Sequence, residues 1–195
     1  AKAKNKFEAK NIIKPIKEEL QKKFSKYIFG EDDDNLSSVL IKELAKRKES
    51  IVFAESCTGG LLSSSITAIA GSSQVFKGSI ISYSNELKQS LLNIPEYLIK
   101  KHGVVSKEVA EKMAINVKEK LNSDWSIAIS GIAGPSGGSK GKPVGLVFIA
   151  IAGPNQKITN IKKVFSPTKN RKEIQTLSVN VCLNSLRLIL LSNSK

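Results

Sequence analysis

The apolar run 51–54 leads directly into a turn of small residues, and this junction constrains the fold more than any other part of the chain. Its residues are mostly β-branched or aromatic, which predicts a short buried strand. Apolar residues then return at helical spacing and predict a helix over 60–70. Gly59 and Gly60 lie between the two and let the backbone approach a ligand at the helix N-terminus. A strand, a glycine turn and a helix in succession are typical of α/β proteins.

The alternation of strand and helix patterns continues to the end of the chain. The later elements are a strand over 78–83, helices near 86–92 and 106–121, strands over 125–130 and 144–151, a polar strand near 157–165, and a last helix over 170–191. Alternating strands and helices pack as layers, so the sequence predicts an α/β layered domain. With 195 residues and 41% hydrophobic content, the chain can bury a sizeable core.

Residues 1–35 differ in character from the rest of the chain. Apolar residues recur every three or four positions over 10–28, which predicts an amphipathic helix. The acidic stretch 30–35 ends that helix and brings negative charge to the start of the next one. We therefore divide the chain into a basic helical segment, 1–35, and a domain, 36–195.

The net charge of +14 raises the possibility of a nucleic-acid partner. The lysines are scattered, however, and no aromatic residues interleave with them as they do in single-strand binders, so we expect no nucleic-acid partner. No run approaches the roughly 18 apolar residues of a membrane span, and no apolar secretory segment is present. These patterns predict a cytoplasmic protein without a membrane partner. Cys57 and Cys182 predict neither a disulfide framework nor a metal site.

Three segments carry groups suited to catalysis or ligand binding. Ser56 and Cys57 are potential nucleophiles in the turn after the first strand. Lys88 lies one helical turn beyond the strand that we predict to end at Tyr83, and can reach back to the strand ends. The glycine-rich loop 130–145 offers many backbone N–H groups to an anion, although it lacks Walker A and Rossmann spacing.

The chain offers little for a histidine-based mechanism. His102 is the only histidine and lies in a surface-turn pattern, and no Gly-x-Ser-x-Gly elbow occurs. A hydrolase built on this chain would therefore use a lysine, a tyrosine or a carboxylate as its base. A thiol at a helix N-terminus has a lowered pKa, so the residues alone leave Cys57 open as an alternative nucleophile to Ser56.

Six motifs, in this order, resemble the C-terminal domain of the CinA proteins, the family of bacterial nicotinamide-nucleotide amidases also called PncC. They are Ala54-Glu55-Ser56-Cys57-Thr58-Gly59-Gly60, Ala70-Gly71-Ser72-Ser73, Tyr83-Ser84-Asn85-Glu86-Leu87-Lys88, His102-Gly103-Val104-Val105-Ser106, Ser130-Gly131-Ile132-Ala133-Gly134-Pro135 and Lys142-Pro143-Val144-Gly145. The resemblance extends from about Leu36 to Arg187, and residues 1–35 are similar to the segment that precedes this domain in longer CinA proteins. We predict a three-layer α/β/α sandwich with a mixed, mostly parallel central sheet.

The resemblance implies hydrolysis of the carboxamide of nicotinamide mononucleotide to nicotinate mononucleotide and ammonia, with no metal or other cofactor. It implies Ser56 as the nucleophile, Lys88 as its base and Tyr83 as an assisting residue. We expect a homo-oligomer, with a dimer favoured. The residues expected to bind substrate are Thr58, Gly59, Gly60, Asn85, Ser130, Gly131, Gly134 and Arg171. Ser130 stands where the family commonly has Thr, and the residues before Arg171 depart from the usual Gly-Asp-Arg pattern.

The implied mechanism makes physical demands on these residues. A lysine with an ordinary pKa of about 10.4 is protonated at neutral pH, so Lys88 must be desolvated or lie near positive charge. The backbone N–H groups of 58–60 are candidates for an oxyanion hole. The glycine-rich loop and Arg171 are candidates for phosphate recognition.

A second class of function stays open beside the amidase. A regulatory or nucleotide-binding domain of a competence- or damage-inducible protein could keep this fold without turning over a substrate. The presence of both Ser56 and Lys88 argues against that alternative.

Overall fold

The computed structural model describes residues 1–192, and within them the chain forms five strands and seven α-helices. The strands are β1 (Ile51–Glu55), β2 (Phe76–Ile81), β3 (Trp125–Gly131), β4 (Leu146–Ala152) and β5 (Ile158–Val164). The helices are α1 (Lys6–Phe24), α2 (Leu36–Arg47), α3 (Leu61–Thr67), α4 (Asn85–Leu92), α5 (Glu96–His102), α6 (Lys107–Lys120) and α7 (Arg171–Ser192). Short 3-10 helices lie at Ser72–Gln74 and Pro154–Gln156.

The strands form one sheet in the order β2-β1-β3-β4-β5. β1 pairs in parallel with both β2 and β3, whereas β4 is antiparallel to β3 and β5. Four of the five strands therefore run in one direction, which confirms the mixed, mostly parallel sheet. All five residues of β1 are buried, as expected for a central strand covered on both faces.

Helices cover both faces of the sheet. On one face α2, α3 and α7 bury apolar side chains against β1, β3 and β4, among them Leu44, Leu62 and Leu186. On the other face α6 and the end of α4 pack on the alternate residues of the same strands, with Met113 and Leu92 at the centre. The three-layer prediction is thus confirmed. α7 has the length and hydropathy of a membrane span, but its buried residues pack in the core on the sheet.

The structure differs from the sequence prediction at several points. β2 ends at Ile81, so Tyr83 lies beyond the strand in the connection to α4. α5 was not predicted, since it is a short helix that contributes no buried residue of its own. α1 begins at Lys6, where the Asn5 side chain accepts a hydrogen bond from the Glu8 backbone N–H.

α1 contributes no buried residue to the domain. Its amphipathic pattern leaves apolar side chains such as Phe7 and Ile16 more than half exposed. The following turn does contact the domain, because buried Arg187 of α7 donates a hydrogen bond to the Lys26 carbonyl oxygen at 2.7 Å. The core is therefore built from residues after α1.

Deletion of residues 1–24 should leave the stability of the domain nearly unchanged, because it removes only exposed contacts that each contribute about 0–1 kcal/mol. As a matched comparison, Leu44→Ala removes a fully buried side chain and should cost about 2–5 kcal/mol. Denaturant unfolding of both variants measures the two effects. If the deletion lowered the free energy of unfolding as much as Leu44→Ala does, α1 would belong to the cooperative folding unit.

Candidate active site

The carboxyl ends of β1, β2 and β3 meet at one edge of the sheet because these strands are parallel. In α/β proteins this edge is where ligands bind. A cavity of about 460 Å³ opens there, walled by the segments that follow the three strands, by the glycine-rich loop and by the start of α7. Eight of the predicted site residues line it: Ser56, Tyr83, Lys88, Asn85, Ser130, Gly131, Gly134 and Arg171.

One hydrogen bond in the cavity joins the potential nucleophile Ser56 to Lys88. Lys88 Nζ lies 3.0 Å from Ser56 Oγ, and it also donates to the Ser82 carbonyl oxygen at 2.6 Å and the Tyr83 carbonyl oxygen at 3.4 Å. A protonated lysine has three N–H donors, which matches these three acceptors. A neutral lysine can keep both carbonyls as acceptors and use its lone pair for the serine hydroxyl proton.

The first turn of α4 places Lys88 at this point. Ser84 caps the helix by accepting a hydrogen bond from the Leu87 backbone N–H. A helical side chain points back toward the N-terminus, so Lys88 extends over the carbonyl groups that precede the helix. It is 1% exposed and shares the inner face of α4 with Leu92.

Burial lowers the pKa of the Lys88 ammonium below its ordinary value. No carboxylate lies within ion-pair distance of it among residues 1–192, and no acidic residue lines the cavity. The desolvation of the ammonium is therefore not offset by a counter-ion. This environment favours the neutral amine, which is the form that can take a proton from Ser56.

Glu55, immediately before Ser56, was not assigned a role from the sequence. Its side chain is fully buried and accepts backbone hydrogen bonds from Gly60, Leu62 and Ser63 at 3.0, 3.1 and 2.8 Å. A carboxylate at a helix N-terminus satisfies N–H groups that otherwise lack partners. Glu55 thus ties the end of β1 to the start of α3 and holds the turn that carries Ser56. An acid directly before a glycine turn and a helix is the signal that could have identified it.

These hydrogen bonds change the prediction that the N–H groups of 58–60 form an oxyanion hole. The Gly59 N–H donates to the Ser56 carbonyl oxygen at 3.1 Å, and the Gly60 N–H donates to Glu55. Both donors are used within the turn, so neither Gly59 nor Gly60 is free for an oxyanion. Among residues 1–192, no acceptor is found for the Thr58 backbone N–H, and the Thr58 hydroxyl is buried without a hydrogen-bond partner. All three residues line an adjacent cavity that shares Tyr83 and Arg171 with the first.

Arg171 joins two walls of the cavity. Its guanidinium donates to the Tyr83 hydroxyl at 2.6 Å and to the Gly134 carbonyl oxygen at 2.9 Å. Ser130, near the end of β3, holds another part of the cavity wall, since its hydroxyl donates to the Val104 carbonyl oxygen at 2.8 Å. His102 contributes no side chain to the lining. These bonds link segments that are far apart in the sequence.

For the alternative nucleophile, Cys57, the pKa is shifted in the direction opposite to the one expected from the sequence. Burial raises the pKa of its thiol to about 12, because the desolvation of the thiolate outweighs any effect of the following helix. The thiol is therefore protonated at neutral pH. Since the thiolate is the reactive form, the structure favours Ser56 over Cys57.

The buried Lys88 should make stability depend on pH in a defined direction. Between the lowered pKa of the folded state and the ordinary lysine value, the unfolded chain binds a proton that the folded chain does not. The free energy of unfolding should therefore rise with pH across this window. Lys88→Met should lose that rise, and Lys101→Met, at an exposed position of α5, should retain it. Urea unfolding of the three proteins from neutral pH upward tests this; identical pH profiles would contradict it.

Comparison with known proteins places the chain in a family. A CinA-like protein of Prochlorococcus marinus subsp. pastoris is 80% identical over 195 residues, and the chain spans 45% of the length of that relative. The crystal structure of a competence/damage-inducible protein from Agrobacterium tumefaciens superposes with a TM-score of 0.77 at 32% identity, covering 84% of this chain and 98% of that one. A CinA superfamily protein from Klebsiella pneumoniae gives 0.76 at 26% identity, covering 82% and 99%. The model of the CinA C-terminal domain matches residues 33–190, and the chain belongs to that family.

Proposed function

We propose that this chain is an amidase that hydrolyses the carboxamide of nicotinamide mononucleotide to nicotinate mononucleotide and ammonia. The contact of 3.0 Å between Lys88 Nζ and Ser56 Oγ carries the proposal. A hydroxyl beside a desolvated amine forms the nucleophile and base of a serine hydrolase that needs no histidine. The names of the similar solved structures refer to competence and damage and name no substrate, so the choice of substrate rests on the resemblance of the motifs.

In the first half of the reaction, neutral Lys88 accepts the Ser56 hydroxyl proton as Oγ attacks the carboxamide carbon. The C=O electron pair moves to oxygen and forms a tetrahedral intermediate. Lys88 then returns the proton to the amide nitrogen, the C–N bond breaks, and ammonia leaves. The product at this stage is an ester between the nicotinoyl group and Ser56.

In the second half, water attacks the ester with Lys88 again as the base. The C–O bond to Ser56 breaks and the serine oxygen recovers a proton, which releases nicotinate mononucleotide. The Thr58 backbone N–H is the remaining donor of the predicted oxyanion hole, and a donor of this kind contributes about 3 kcal/mol in other hydrolases. The positive pyridinium of the substrate also disfavours the ammonium form of Lys88.

The other cavity residues serve binding and positioning in this proposal. Tyr83 accepts a hydrogen bond from Lys88 through its carbonyl and one from Arg171 through its hydroxyl, so it positions the base. Asn85 and Ser130 contribute polar residues to the cavity lining, and Gly131 and Gly134 line it as well. We assign these four residues to substrate binding.

The direct test is incubation of the purified chain with nicotinamide mononucleotide in EDTA. We expect equal amounts of ammonia and nicotinate mononucleotide, measured by enzymatic ammonia assay and by chromatography. Ser56→Ala, checked for folding by circular dichroism, is the control and should give only background. If folded wild-type chain forms neither product, the amidase proposal fails and a binding or regulatory role is favoured.

The roles of the residues should separate in their variants. Ser56→Ala should lower kcat by several orders of magnitude, as in other nucleophile and base units, whereas Cys57→Ala should stay active. Lys88→Arg keeps the charge but cannot lose its proton, so this variant should be nearly inactive. Tyr83→Phe should lower kcat less than Lys88→Arg does.

The pH dependence reports the same base. Wild-type kcat should rise with pH through an apparent pKa below the ordinary lysine value, since burial lowers the pKa of Lys88. An active Lys88→Arg with an unchanged pH profile would place the base elsewhere. A higher activity of Ser56→Ala than of Cys57→Ala would contradict the serine mechanism.

A further inference from the structure

The cavity carries positive charge that its lining does not neutralise. Lys142 and Arg171 are cations in its lining, Lys88 is the buried base described above, and none of the lining residues is acidic. A partly enclosed cleft lined by positive charge and no negative charge attracts an anion. The three basic residues are not equivalent, because the protein already uses them to different extents.

Two of these basic residues act close to the nucleophile. Lys88 is the base, and its donors are directed to Ser56 and to two carbonyl groups. Arg171 orients Tyr83 and binds the Gly134 carbonyl. The Lys142 side chain makes a single hydrogen bond among the described residues, to the His102 carbonyl oxygen at 2.7 Å. Two of its three N–H donors therefore remain for a ligand.

The fold fixes Lys142 at the cavity wall. Ser139 and Lys142 exchange backbone hydrogen bonds of 2.9 and 3.0 Å across a tight turn, in which Gly141 has a φ of +87°. The Lys142 side chain crosses over Gly103, where a Cβ atom would lie only 2.5 Å from Nζ. The glycine thus provides the space that Lys142 occupies. The residue is partly buried, so solvent screens its charge less than that of a surface lysine.

We infer that Lys142, together with the polar groups of Ser136, Gly137 and Ser139 on the same loop, binds the phosphate monoester of the substrate. The inference rests on the proposed function and restricts the substrate class to phosphorylated compounds. Arg171, expected from the sequence to bind phosphate, also lines the cavity but already donates to Tyr83 and Gly134, so we assign the main charged contact to Lys142. A phosphate monoester binds to several hydrogen-bond donors grouped around a positive charge. Lys142 supplies the charge, and the adjacent loop supplies polar groups beside it.

Binding of ribose 5-phosphate, measured by titration calorimetry, tests the phosphate site without requiring catalysis. Lys142→Met should weaken binding by about 10- to 100-fold, the usual effect of losing a charged hydrogen bond. Lys140→Met is the matched control, because Lys140 lies on the same loop but is exposed and does not line the cavity. It should change the affinity by no more than about twofold. Ribose without phosphate should bind no differently to the three proteins.

Lys142→Gln removes the charge but keeps an N–H donor on a side chain that is one bond shorter. It should bind ribose 5-phosphate as weakly as Lys142→Met does. In the amidase assay both variants should raise KM for nicotinamide mononucleotide with little change in kcat. Their activity on nicotinamide riboside, which lacks the phosphate, should equal that of wild type.

Two results would overturn the inference. One is unchanged binding of ribose 5-phosphate by folded Lys142→Gln. The other is an equal loss of amidase activity on nicotinamide mononucleotide and on nicotinamide riboside. Failure of the proposed function is a separate outcome, because a wild-type chain without amidase activity can still bind ribose 5-phosphate through Lys142. In that case the site would hold the phosphate of a ligand that is not hydrolysed.

Discussion

The parallel pairing of β1 with β2 and β3 is the constraint on which the site depends. It brings three strand ends to one edge of the sheet, so that the turn after β1, the start of α4 and the end of β3 face one cavity. The pairing of β1 with β3 is unbroken, and that of β1 with β2 is irregular only between Ile51 and Val52, at the end of the strand away from the site, so there is little freedom to shift one strand end against another. The distance between Ser56 and Lys88 is therefore set by the register of the core.

A buried lysine without a counter-ion opposes folding, and the surrounding structure compensates for it. Backbone carbonyl groups of Ser82 and Tyr83 satisfy the Lys88 amine, and the buried Glu55 carboxylate satisfies the first turn of α3 without reaching the lysine. Separation of these two charges is chemically important. An ion pair between Glu55 and Lys88 would stabilise the ammonium and raise the pKa of the base, which would defeat its use as a proton acceptor.

The cavity walls are joined by side chains that donate to backbone carbonyl groups across large sequence separations. Arg171 bonds to Gly134, Ser130 bonds to Val104, and Lys142 bonds to His102. Such bonds orient a loop without placing an acidic partner in the cavity, so the site stays positive. This arrangement suits a ligand that combines an anionic end with a reactive amide.

The sequence by itself determined the alternation of strands and helices, the turn that carries Ser56 and the placement of Lys88 one turn into a helix, because these are properties of local periodicity and capping. The burial that lowers the pKa of Lys88 and raises that of Cys57 was decided only by the tertiary structure, since desolvation depends on what packs around a group. The same holds for Gly60, whose N–H looked available in the sequence but is taken by a carboxylate five residues earlier. Lys142 belongs to one of the sequence motifs, but no role could be assigned to it from the sequence, because its place in the cavity comes from a long-range contact with His102 and Gly103.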